Sequence, residues 1–315
     1  MSQPSLPRVG FIGAGRLARC LARGFARAGY PVVAIASRTA ATAHALAEEF
    51  AGCVSSDDPQ TAVDTADIVF LTVPDDSIGT TANTLRFGPP AKTGATGRSA
   101  WGLVHCSGAS PVELLEPARV QGVAIGGFHP LYLFSGAPAD IERIVGCSVT
   151  IEADGALHDA LAAMTSALGC HPLSIPGGGR MLYHAAAHYA ASFALCGLAE
   201  CVTLWSKLGF AEDDALRAVL PMLAGTIETA REKGLPGALA GPISRGDTGV
   251  IQKQLALMET LGGDHAALYA LMSRRGVELA RRRPSPPAGI DAIADAVENS
   301  LARSVNQVSA GASVK

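Results

Sequence analysis

A chain of 315 residues, 48% hydrophobic and 17% charged with a formal net charge of -3, is long enough for two domains with sizeable cores and carries no basic excess for a nucleic-acid partner. Its apolar runs fall short of the roughly 20 residues of a membrane span, and the opening MSQPSLPR lacks the apolar stretch of a secretion signal. The expectation is a cytoplasmic protein with reduced thiols, since the seven cysteines lack the C-x-x-C spacing of zinc sites and form no disulfide framework.

The segment from Arg8 to Arg38, RVGFIGAGRLARCLARGFARAGYPVVAIASR, reads as strand, glycine turn, helix and second strand. Gly13, Gly15 and Ala18 fill the G-x-G-x-x-G/A fingerprint, which provides a tight turn, close approach to a pyrophosphate and helix-on-strand packing. Ala14, Arg16 and Leu17 complete the turn and open the helix, whose free N–H groups favour an anion. Where an NAD-binding protein carries an acidic group for the ribose 2′-hydroxyl, this chain has Ser37 and Arg38. A guanidinium beside a hydroxyl suits a 2′-phosphate, so the expected cofactor is NADP. Arg8, Arg16, Arg19, Arg23, Arg27 and Arg38 all precede the first acidic residue, Glu48, and make this end basic. A solvated loop charge is the plainer alternative for Arg38.

Residues 40–50 form a short predicted helix and Cys53-Val54 a short strand, and residues 67–72 a continuous apolar strand of the buried parallel type. Val73, Pro74 and Asp75 follow it and are expected near the cofactor's ribose, with helix capping as the simpler role for Asp75 and Asp76. A loop over 86–100, strands ending at His105 and covering 123–128, and the run from 147 to 175 complete a doubly wound parallel sheet, a Rossmann domain over 1–176. Pro176-Gly177-Gly178-Gly179 reads as a hinge. An all-α domain over 177–303 follows, with helices at 181–208, 212–232, 248–261, 264–282 and 290–303 and a disordered tail at 304–315.

Ligands of open α/β sheets lie beyond the carboxyl ends of the strands, so residues 73–76, 105–109 and 128–131 should line one crevice. Ser107 is placed to bind a carboxamide or substrate, and His129 to donate to substrate or to hold its loop. Cys106 lacks the surroundings of a nucleophile. Downstream, His184, His188 and Ser192 recur at i, i+4 and i+8 on one helix face. The His pair lacks the glutamate of H-E-x-x-H, so no metal is expected. Hydride transfer needs a proton donor beside the accepting group, and His184 fits that role with His188 next to it; histidines satisfied in packing or a dimer interface are the alternative. Arg245 in GPISRGDT is a candidate clamp for a substrate carboxylate or an exposed turn residue, and Asp247 or Thr248 the cap of the next helix.

Taken in order, GAGRLA, TVPDD, HCSGA, GGFHPL, YHAAA and GPISRGD resemble the Rossmann-like proteins bearing the domain of unknown function 2520. That group is similar to pyrroline-5-carboxylate reductases and β-hydroxyacid dehydrogenases. The resemblance implies an NADP-dependent oxidoreductase acting on a small carbonyl or imine compound, with a homodimer formed through the helical domain. β-Hydroxyacid dehydrogenases carry a lysine and, four residues on, an asparagine where this chain has His184 and His188. The missing lysine leans toward an imine or another carbonyl rather than alcohol oxidation. The family's asparagine after Ser192 is here Phe193. A protein that senses NADP or scaffolds without chemistry is the alternative from another class.

Overall fold

The computed structural model describes residues 6–88 and 101–312, so most of the loop read over 86–100 lies outside the described residues. Two compact units emerge, residues 1–195 and 196–315. The first holds strands β1 Val9–Ile12, β2 Val32–Ala36, β3 Val54–Ser56, β4 Ile68–Leu71, β5 Gly102–His105, β6 Ala124–Pro130, β7 Ser148–Glu152 and β8 His171–Ser174. Helices α1 Arg16–Arg27, α2 Ala40–Ala47, α3 Gln60–Thr65, α4 Ile78–Thr84, α5 Glu116–Arg119, α6 Asp140–Arg143 and α7 Gly155–Ala167 alternate with them, before α8 Arg180–Ala190 and the start of α9 Ser192–Ser206.

The strands form one sheet in the order β3-β2-β1-β4-β5-β6-β7-β8, the doubly wound pattern expected of a Rossmann fold. Pairing is parallel except between β6 and β7, where His129 faces Thr150 across an antiparallel ladder. Successive residues of a strand point to opposite faces, and here both faces are apolar. Phe11, Ile68 and Phe70 enter one core with Phe25, Phe128 and Leu161, while Ile12, Val69 and Leu71 enter the other with Ile78 and Leu103. The unbroken apolar run at 68–71 is therefore the mark of a strand covered by helices on both sides.

The second unit is all helical: α10 Glu212–Ala238, α11 Gly241–Arg245, α12 Thr248–Leu261, α13 His265–Arg281 and α14 Ile290–Ala312. Ile251, Leu255, Val277, Ile293 and Val297 form the centre of its core, between α12, α13 and α14. Gly234, at φ 69°, kinks α10 near its end.

Three local readings need correction. The last helix, read as ending at 303 before a disordered tail, continues to Ala312. The predicted helix 181–208 is broken at Ala191, whose φ of -115° and ψ of -88° are not helical, so Ser192 starts a new helix instead of extending the face of His184 and His188. The stretch 241–248, read as a turn, contains the short helix α11, started by Pro242 in its first turn and stopped by the left-handed Gly246. Of the two candidate caps for the next helix, Asp247 accepts from the Val250 N–H at 3.2 Å.

Candidate active site

Gly13 is the turn on which the cofactor end is built. Its φ of 112° suits glycine alone, and a Cβ there would sit 2.6 Å from the Thr72 carbonyl oxygen. The Gly13 N–H donates to the Ala36 carbonyl at 2.7 Å and Thr72 Oγ1 donates to the Gly13 carbonyl at 3.1 Å, which ties the turn to both neighbouring strands. Gly15 caps α1 without a side chain and has open space where a Cβ would stand. The first N–H groups of α1 are thereby left open to an anion. Ala18 is fully buried, the small residue that lets α1 pack on the sheet.

A cavity of about 580 Å³ opens over this turn, where strand order reverses between β1 and β4. Gly13, Ala14, Gly15, Arg16, Leu17, Ser37, Arg38, Val73 and Pro74 all line it. Sequence reasoning missed Asp57, Thr72, Thr80 and Thr81 in the same lining, because the helices and loops that carry them have no local signature. Three arginines of the basic opening are neutralised: Arg8 by Asp67 at 3.2 Å, Arg23 by Glu49 at 2.6 Å and Arg27 by Glu142 at 2.9 Å. Arg16 and Arg38, both exposed at the cavity, make no ion pair among the described residues.

Asp75 and Ser107 lie outside this lining and bind each other, the Ser107 hydroxyl donating to Asp75 Oδ2 at 2.7 Å. Ser107 Oγ also accepts from the Ala109 and Ser110 N–H groups at 3.2 and 2.9 Å. Asp75 begins a 3-10 turn, Asp75–Ser77, without capping it by a side-chain hydrogen bond. Its carboxylate instead fixes the loop after β5.

Around the next residue, Gly108, the histidines gather. A Cβ at Gly108 would lie 2.6 Å from His184 Cδ2 and 2.9 Å from His129 Nε2, so the backbone passes between two imidazoles. The His129 and His184 rings stand 6.1 Å apart, and His184 and His188 are 5.0 Å apart. Tyr183, His184 and His188 are only partly exposed on α8, and Tyr183 Oη is 3.1 Å from His129 Nδ1. Burial, then the charge of Arg180, pushes His129 down to about 4 and His105 down to about 3, so both imidazoles are neutral at physiological pH. Burial drives the Cys106 thiol up to about 12, which rules out a thiolate nucleophile there.

Arg180 itself was not singled out from the sequence. It is 2% exposed at the first position of α8, with Nε 2.7 Å from Glu152 Oε2 and Nη1 donating to the Ser107 carbonyl at 2.6 Å. The only local hint is a cation at the positive end of a helix dipole, where it is disfavoured unless held by partners. Arg245 lies in the second unit, exposed at the end of α11 and without an ion pair among the described residues. The described residues contain no cluster of three or more metal-ligating side chains.

Residues 147–276 match the model of the domain of unknown function 2520, and residues 8–92 that described as NADP oxidoreductase coenzyme F420-dependent. No curated protein matches the sequence. Among solved structures, protein TM1727 from Thermotoga maritima aligns at 23% identity and a TM-score of 0.69 over 87% of this chain and 100% of its own. An imine reductase from Myxococcus stipitatus, in complex with NADP+, aligns at 18% identity and 0.59 over 90% and 98%. A pyrroline-5-carboxylate reductase from Coxiella burnetii aligns at 16% identity and 0.52 over 93% and 96%. The likeness to these structures shows the fold. The family matches bear out the resemblance drawn from the motifs: residues 147–276 are similar to the domain of unknown function 2520 and residues 8–92 to an NADP oxidoreductase segment.

Proposed function

We propose that this chain, an NADP oxidoreductase bearing the domain of unknown function 2520, transfers hydride from NADPH to a small, carboxylated carbonyl or imine compound. The observation that carries the reading is the presence of two sites at the carboxyl ends of strands of one sheet. One is a cavity over a glycine turn with two guanidiniums that make no ion pair among the described residues, and the other is a polar cluster at the ends of β5 and β6. In this assignment the α1 N-terminus, Gly13, Ala14, Gly15, Arg16 and Leu17 take the pyrophosphate, and Ser37 and Arg38 take the 2′-phosphate. Val73, Pro74 and Asp75 run along the ribose toward Ser107, which orients the nicotinamide end through the loop it shares with Asp75. NADPH supplies the hydride when bound.

His184 is the proposed proton donor. His129, held neutral by burial and by Arg180, orients the substrate through a hydrogen bond. His188 supports the His184 ring from one turn away. The similarity of fold to an imine reductase supports the imine end of this range, as does the absence of a lysine at position 184.

Turnover of NADPH and of NADH across cyclic imines, 2-keto acids and 3-keto acids tests the reading. It predicts oxidation with at least one class and at least a roughly tenfold preference for NADPH, the scale of a lost charge-assisted pair. Equal use of the two cofactors would overturn the 2′-phosphate assignment. No turnover across the panel would favour a nucleotide-sensing protein instead.

A further inference from the structure

The polar cluster around Gly108 is organised by a charge that the reaction does not directly need. Arg180 is 2% exposed, and its partners come from three other places in the chain: Glu152 at the end of β7, the Ser107 carbonyl after β5, and Gly127 in β6. A Cβ at Gly127 would fall 1.9 Å from Nη2, so β6 is narrowed to glycine where the guanidinium lies against it. Nε pairs with Glu152 Oε2 at 2.7 Å, and Nη2 has no hydrogen-bond partner among the described residues. Stability alone does not call for this arrangement. A buried ion pair at the positive end of a helix dipole is costly, and an apolar pair of similar volume commonly serves a fold as well.

What the guanidinium does hold is the loop between the histidines. Nη1 takes the Ser107 carbonyl at 2.6 Å, and the next residue, Gly108, is the one flanked by His129 and His184. We propose that Arg180 is a positioning residue: by clamping the Ser107 carbonyl it sets Gly108 between the two imidazoles and fixes the spacing of His129 and His184. This rests on the hydride-transfer reading above, in which those imidazoles face the substrate. The same charge acts on His129, which also meets Tyr183 and His184 from α8, His105 from β5 and Asp75 from the 3-10 turn. Of these, Arg180 and His184 disfavour the imidazolium and Asp75 favours it. Glu152, from β7, faces the same guanidinium.

The test follows His129 by NMR titration in the full-length protein, together with kcat and NADPH affinity. Wild type should titrate near 4 at His129. In R180M that titration should move upward, and kcat should fall by about 10- to 100-fold, the cost of a slightly misplaced catalytic group, with a smaller loss of NADPH affinity because the proposed phosphate contacts lie elsewhere. R180K, which keeps the charge without the fork, should restore the titration more fully than kcat. If R180M alone does not fold, the double variant R180M/E152L removes both buried charges and is read in the same way. A folded variant with an unmoved titration or an unchanged kcat would overturn the proposal, as would failure of both R180M and R180M/E152L to fold. If wild type reduces no imine or carbonyl, the hydride-transfer reading fails, and the His129 titration, which needs no substrate, still decides whether Arg180 acts on the cluster.

Discussion

At the scale of single residues, Arg38 and His184 carry the assignments with the sharpest consequences. Replacing Arg38 with alanine should raise the KM for NADPH by about tenfold or more while leaving that for NADH nearly unchanged, because only the 2′-phosphate distinguishes the two. His184→Ala should lower kcat by roughly 10²–10⁴ if it is the general acid, and a loss within about threefold would remove it from that role. His129 and His105 also make stability depend on pH. Both are pushed below the ordinary histidine value, to about 4 and about 3, so the unfolded chain binds protons that the folded chain refuses. The stability they contribute is fully present above about 6.5 and is lost as pH falls toward 4 and below, at most roughly 3 kcal/mol for His129. The thermal midpoint should therefore fall between pH 7 and pH 4, and less steeply in H129N. Parallel curves for the two proteins would contradict the burial of a neutral His129.

At the scale of elements, the βαβ opening was legible because each of its requirements is local. A strand of four apolar residues, a glycine at φ 112° and a small residue at Ala18 lie within one short stretch of sequence. Gly13→Ala should press a methyl group against the Thr72 carbonyl, cost about 2 kcal/mol or more, and weaken NADPH binding; equilibrium unfolding and a binding titration measure both. Helix α8 was only half legible. Its i, i+4 pair of His184 and His188 does share the partly buried face, but the break at Ala191 falls in an alanine-rich run with neither proline nor glycine to announce it. Arg180 was illegible for a different reason. Its hydrogen-bond partner Ser107 is 73 positions away, and what marks it as special is a burial that only the assembled sheet provides.

At the scale of the whole molecule, the helices beyond the sheet leave apolar surface uncovered. Met181, Leu182 and Tyr189 on α8 are 65–77% exposed, no residue of α9 is buried, and Met222 and Ile227 on α10 are 68% and 52% exposed. By length and a mean hydropathy of 1.3, the stretch Arg180–Ser206 would pass for a membrane span, an exception to the expectation from the sequence. It is nonetheless interrupted at Ala191 and carries Arg180, His184 and His188. The homodimer implied by the family resemblance would cover apolar side chains such as these, since exposed apolar patches on a folded protein mark association. Sedimentation equilibrium at micromolar concentration should give a dimer, and M222E/I227E should shift it toward monomer; a monomeric wild type would contradict this. Hydride transfer from NADPH to a carbonyl or imine carbon is tested most directly with NADPH carrying deuterium at both C4 positions of the nicotinamide, the product being analysed by mass spectrometry. One deuterium should then appear on the former carbonyl or imine carbon, and product from an accepted substrate that carried none would contradict hydride transfer.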